Sequence, residues 1–184
     1  MISVRDELAW LKHPFTVTND YLHRQMLQKA YEHANSVSPD PSTKNGSVLV
    51  SCHHGILSYG VNKFPDGVAE TQSRLTDKTT KYRMVVHAEN GAIFNAARNG
   101  NATRETTLYC PFYACSECAK AIIQAGIIKV VGHAQLMALA GSHTTWVESI
   151  VNAWEMMNEA GVECCLYDGE VGVITRFNGE DIAV

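Results

Sequence analysis

Thr106-Thr107-Leu108-Tyr109-Cys110-Pro111, then Cys115-Ser116-Glu117-Cys118-Ala119-Lys120-Ala121-Ile122-Ile123-Gln124-Ala125-Gly126, then Ile127-Ile128-Lys129-Val130-Val131, is the stretch that decides the fold. The first piece is a strand stopped by proline. The second opens a helix at Cys115 that runs to Ala125, with Gly126 as its stop signal. The third is an apolar strand of the kind buried in a parallel region. Strand, helix, strand in that order implies a right-handed crossover and a sheet covered by helices.

Working outward, Val162-Glu163-Cys164-Cys165-Leu166-Tyr167 reads as a last strand. Before it, Trp146, Val147, Ile150, Val151, Trp154 and Met157 recur at helical spacing over 144–160, after a loop at 133–142. The two Trp residues are expected in the core or at a subunit contact. Toward the N-terminus, a helix starts near His87 and stops at Asn99-Gly100-Asn101, preceded by a long loop over 62–80. Ser47–Ser51 and Ile56–Val61 form a hairpin around His53-His54-Gly55. A helix over 20–36, capped by Asn19 or Asp20, places Met26, Leu27, Ala30 and Tyr31 on one face and ends in Ser38-Pro39-Asp40-Pro41-Ser42. The order α-β-β-α-β-α-β-α-β predicts an α/β protein in three α-β-α layers around a mixed five-stranded sheet. We expect an N-terminal arm over 1–18, one domain over 19–168 and a C-terminal tail over 169–184.

The 184 residues suffice for one full core, and 46% apolar with 18% charged residues is the composition of a globular protein. No apolar run reaches the roughly 18 residues that span a bilayer, and the polar start, Met1-Ile2-Ser3-Val4-Arg5-Asp6-Glu7, has no signal-peptide core. We therefore expect a cytoplasmic chain with no membrane partner. Six Cys, two of them adjacent, fit a reduced chain better than a disulfide framework. The net charge of −4 argues against nucleic acid as a partner and leaves a small-molecule nucleotide open.

Cys115 and Cys118 flank a turn-to-helix junction, so both thiolates can grip one metal ion, and His87 can supply a third ligand. Three protein ligands on tetrahedral zinc leave one position open, as catalytic sites do. Glu89, two residues after the His, can sit beside that position and exchange protons there. A redox Cys-x-x-Cys fits less well, because a His-x-Glu has no role in it. A structural zinc would need a fourth ligand from Cys110, Cys52, His53 or His54, and Cys52-His53-His54 reads more simply as a hairpin turn. His/Cys/Cys zinc with a non-ligand Glu is the constellation of zinc nucleobase deaminases.

The chain resembles the deoxycytidylate (dCMP) deaminases within the cytidine/deoxycytidylate deaminase superfamily. The resemblance runs from about residue 20 to about residue 167 and rests on four stretches in order: Asp40–Gly46, Gly60–Gly67, Lys81–Glu89 and Cys118–Ile127. It implies a cytidine-deaminase-like fold, with 19–168 as the zinc-dependent deaminase domain. His87, Cys115 and Cys118 would hold Zn2+, Glu89 would shuttle protons, and Asn62 would contact the base or sugar. The backbone N–H groups of Ala88 and Cys115 would orient the reacting groups. It also implies a homo-oligomer. The implied reaction is hydrolysis of a cytosine nucleotide, dCMP to dUMP and ammonia.

Other residues are read individually. Asn45 is a substrate contact or a turn residue, and Tyr113 and Phe112 stack on a base or pack in the core. Lys44, Lys63, Arg74, Lys78, Lys81 and Arg83 lie where a monophosphate can be reached, with Arg83, four residues before His87, the favoured one. The chain departs from the family pattern at Ala114, where Pro is usual, and at Gly91, where Asn is usual. Those departures keep dCTP, 5-modified dCMP, a nucleoside, guanine and a pterin-like ring in view as alternative substrates. A base within nucleic acid and a non-catalytic nucleotide-binding role fit less well.

Overall fold

The structure, a computed structural model, describes residues 3–140 and 144–184. In chain order the elements are α1 (Val4–Glu7), a 3-10 turn (Ala9–Leu11), β1 (Thr16–Thr18), α2 (Tyr21–Val37), β2 (Gly46–Ser51), β3 (Gly55–Val61), α3 (Gln72–Thr76), α4 (Lys78–Met84) and α5 (Ala88–Arg98). There follow β4 (Thr107–Tyr109), α6 (Ser116–Gln124), β5 (Lys129–His133), α7 (Ala134–Ala140), α8 (Thr144–Glu159), β6 (Glu163–Tyr167), β7 (Ile174–Phe177) and β8 (Glu180–Ala183).

The central sheet has the order β1-β6-β5-β4-β2-β3. Its β1, β6, β5 and β4 run parallel, while β2 lies antiparallel to both β4 and β3. Side chains alternate across a strand, and here the alternation divides two cores. Leu49, Leu108, Val130 and Cys164 face α5, α6 and α8, together with Leu8 and Leu11 from the N-terminal segment. Val48, Tyr109, Val131 and Cys165 face α2 and the C-terminal hairpin. The result is the predicted three-layer α-β-α architecture with a mixed sheet. The expected five strands become six, because Thr16–Thr18 pairs in parallel with Cys165–Tyr167. That strand has only three residues and its partner is almost 150 positions away, so no local pattern marks it.

Two regions expected to be loops are partly helical. The 62–80 stretch carries α3 and the start of α4, capped by Thr71 and Asp77, and α7 occupies most of 133–142. The tail forms the β7–β8 hairpin, which packs Phe177 and Val184 into the α2-side core. No helix among the described residues is long and apolar enough to cross a membrane.

Candidate active site

Two helix starts converge here. His87 is the N-cap of α5 and Cys115 the N-cap of α6; neither side chain caps its own helix, so both remain free to point elsewhere. Neighbouring residues do the capping instead. Asn62 Oδ1 accepts the Ala88 N–H at 3.0 Å, and Ser149 Oγ on α8 accepts the Ser116 N–H at 3.1 Å. Helix α5 is strapped to the sheet by Ser47 Oγ donating to Ala88 O (2.6 Å) and Ser58 Oγ donating to Ala92 O (2.7 Å). It lies so close to β3 that a Cβ on Gly60 would fall 2.0 Å from Ala88 O. Only glycine permits that approach.

The convergence brings His87, Cys115 and Cys118 together, with their ligand atoms all within 4.8 Å of one another. Both sulfurs lie 3.4 Å from His87 Nδ1 and 3.7 Å from each other. Tetrahedral zinc with ordinary Zn–S and Zn–N bonds demands S···N of about 3.5 Å and S···S of about 3.8 Å. The trio therefore fits zinc without rearrangement. Cys110, the buried candidate for a fourth ligand, bonds instead to Asn45 Nδ2 and Phe112 O. Cys52, His53 and His54 sit exposed in the β2–β3 turn, and no second group of three metal donors occurs among the described residues. The crowding of donors also shifts their protons. Hydrogen bonds from Cys118 and His87 bring the Cys115 thiol down to about 4, while its bond to Cys115 raises His87 to about 9. The hydrogen bond between the two thiols raises Cys118. A divalent cation would relieve that crowding.

Glu89 lies on the first turn of α5 with 2% of its surface exposed, and its Oε2 has no hydrogen-bond partner. Burial pushes its carboxyl up to about 7, partly offset by nearby His87. An orphaned buried carboxylate oxygen is costly, and the residue that carries it lines a cavity whose wall also includes His87 and Cys115. Asn62, Asn45 and Tyr113 line the same cavity. Asn45 bridges to the segment before the Cys pair, accepting the Phe112 N–H at 3.3 Å. Tyr113 packs on Trp154 with ring centroids 4.5 Å apart, so it serves core and cavity together.

Three placements differ from expectation. The Ala88 N–H is already bonded to Asn62 Oδ1, so it is not free to orient a substrate. Arg83 is exposed and does not line the cavity; Lys81 does, held by both carboxylate oxygens of Asp40 at 3.1 Å. Trp146 is a cavity residue, its ring 6.2 Å from that of His87 and 6.0 Å from that of Tyr82. Sequence reasoning also missed Thr43, Phe177 and Asn178, which line the cavity too. Asn178-Gly179 carried a hairpin-turn signal that points to the last two.

Zinc nucleobase deaminases are built on this donor set with a carboxylate that is not itself a ligand, and comparison with known sequences places the chain among them. The family described as "Cytidine and deoxycytidylate deaminase zinc-binding region" matches residues 20–134, and the chain belongs to it. A deoxycytidylate deaminase of Pongo abelii is 38% identical over 99 residues, 51% of this chain and 54% of that protein. An uncharacterized deaminase of Aliivibrio fischeri is 34% identical over 132 residues, covering 72% of this chain and 84% of that one. The chain spans about half the length of the deoxycytidylate deaminases from animals that it matches. The crystal structure of dCMP deaminase from the cyanophage S-TIM5 shares the fold, with a TM-score of 0.59 at 23% identity over 82% of this chain and 99% of that one.

Proposed function

We propose that the protein hydrolyses the exocyclic amine of a cytosine nucleotide, converting dCMP and water to dUMP and ammonia. The observation that carries this reading is the unpartnered Oε2 of buried Glu89 in a cavity beside the His87, Cys115 and Cys118 trio. The names of the relatives, several of them deoxycytidylate deaminases, support the choice of base and sugar.

Zinc held by the trio would supply Lewis acidity and make a water acidic near neutral pH. Glu89 would take one proton from a water held there as its oxygen bonds to C4, pass that proton to ring N3, and carry the hydroxyl's remaining proton to the amine as the C4–N bond breaks and ammonia leaves. Asn62 has its Oδ1 engaged by Ala88 N–H, so its Nδ2 protons are the ones offered to the base or sugar. The faces of Phe112, Tyr113 and Trp146 enclose the ring and exclude water around it. On this reading 19–168 is the deaminase domain; of the arm, Leu8 and Leu11 enter its core and Thr16–Thr18 joins its sheet, and the tail 169–184 packs on it. The working form is a cytoplasmic homo-oligomer acting on free nucleotide rather than nucleic acid.

The test is ammonia release from dCMP, dCTP, CMP, deoxycytidine, 5-substituted dCMP and guanine, with zinc content measured in parallel. We expect dCMP to be turned over fastest, and Glu89→Gln to lose at least about a hundredfold in kcat at unchanged zinc content. Retained turnover in that variant removes Glu89 from the mechanism, and preference for another ring reassigns the substrate.

A further inference from the structure

Residues 169–184 lie beyond the segment matched by the family, yet they supply part of the cavity wall. The β7–β8 hairpin turns through Asn178 and Gly179, both at positive φ (52° and 89°), the geometry of a two-residue type I′ turn. Its tip is fastened to the segment between α2 and β2. Gly179 N–H donates to Ser42 O (2.8 Å), Asn178 N–H to Thr43 Oγ1 (3.1 Å), and Lys44 N–H to Arg176 O (2.9 Å). The Phe177 ring packs on Phe112 at 5.3 Å.

The segment that the tip grips also carries Asp40. One carboxylate oxygen of Asp40 accepts the N–H groups of Ser42 (2.8 Å) and Thr43 (3.1 Å), while both oxygens hold Lys81 Nζ. The side chains of this ion pair are 9% and 6% exposed. Lys81 is the only Lys or Arg among the described residues lining the cavity. An ammonium group has three N–H donors, so pairing with Asp40 aims it without exhausting it. Asp40, Thr43, Lys81 and Asn178 thus form one connected polar cluster, and none of its four members hydrogen-bonds His87, Cys115 or Cys118 directly.

We infer that this cluster, closed by the C-terminal hairpin, selects substrates that carry a 5′-phosphate. Lys81 is its phosphate contact and Asn178 its specificity-determining residue. The inference rests on the deaminase reading above. It assigns to a hairpin outside the family segment a discrimination that the zinc ligands and Glu89, which act on the ring, cannot make.

The test uses the full zinc-loaded chain, with kcat and KM for dCMP and deoxycytidine, which differ only in the phosphate. Asn178→Gly keeps the positive φ without strain, and Asn178→Asp keeps the shape and tolerates that φ while adding a negative charge. Melting temperatures of both variants report on folding. We expect Asn178→Gly to lower kcat/KM for dCMP about tenfold through KM, as loss of one good hydrogen bond does. Asn178→Asp should lower it further, with deoxycytidine changed less than about twofold in either variant. Equal effects on both substrates, or none, overturn the inference while leaving the deaminase reading intact. A wild-type chain that releases ammonia from neither substrate overturns both.

Discussion

Lys81 and Asp40 hold each other with less than a tenth of either side chain exposed. Removing one partner of a buried pair leaves an uncompensated charge, so Lys81→Met should cost on the order of 3 kcal/mol. Lys81→Met combined with Asp40→Asn should recover part of that loss, and urea melts of the single and double variants measure it. Asn62→Ala should cost about 1 kcal/mol through the lost cap of α5 and should also raise KM. An unchanged KM would confine Asn62 to the cap. At this scale the sequence was readable wherever chemistry demanded a residue type: the zinc trio and Glu89 stood out by spacing alone. The choice between Lys81 and Arg83 did not. Residues two apart on a helix point roughly 200° apart, so only one of them can face the cavity, and the seating of α4 decides which.

Helix α5 carries Glu89 and, at its N-cap, His87, a proposed zinc ligand, and its position depends on the absence of a side chain at Gly60. Gly60→Ala forces a Cβ against Ala88 O and the backbone N of Ala92, so the helix must move. We expect a loss of about 3 kcal/mol or more and weakened zinc binding, read by melting and by metal competition with a chelator. Normal affinity in that variant would show that α5 does not set the ligand geometry. The long helices and core strands were legible because each spans enough residues to show its period. Helices α3, α4 and α7 have five to seven residues, too few for an amphipathic repeat. For α3 and α4, caps at Thr71 and Asp77 mark the starts in place of such a repeat.

His133 ties the whole molecule together. Its Nε2–H donates to Gly169 O at 3.0 Å and its Nδ1 accepts from Tyr31 OH at 2.7 Å, joining β5, α2 and the root of the tail. Burial holds its imidazole below the ordinary 6.5. The unfolded chain therefore takes up a proton near pH 6.5 while the folded chain does not. Stability from this group is complete above that pH and is lost as pH falls toward the folded value. His23 and His33 are shifted the same way by burial. Raised Glu89 and His87 act in the opposite sense and are common to both chains, so the test is the difference: between pH 7 and 5, His133→Gln should lose less melting temperature, relative to its own value at pH 7, than the wild-type chain; an identical pH dependence would exclude His133 as a source. Stripping zinc should lower the melting temperature at any pH, because a ligand bound only by the folded state stabilises it. Zinc affinity should weaken in acid, where protons compete for the ligands.

The sequence by itself determined the chemistry and the layering: which residues can bind zinc, which carboxylate stands beside them, and which periodic segments bury a face. Those properties follow from residue type in two short motifs, His87-x-Glu89 and Cys115-x-x-Cys118, and from the period of single segments, all of which are local. Tertiary structure decided what depends on distant segments meeting. It added β1 to the sheet edge beside β6, turned Lys81 rather than Arg83 into the cavity, and gave the Ala88 N–H to Asn62. It also brought Arg176, Asn178 and Gly179 to residues more than 130 positions earlier in the chain. None of these contacts has a local signature, because each is set by how packed elements fit against one another.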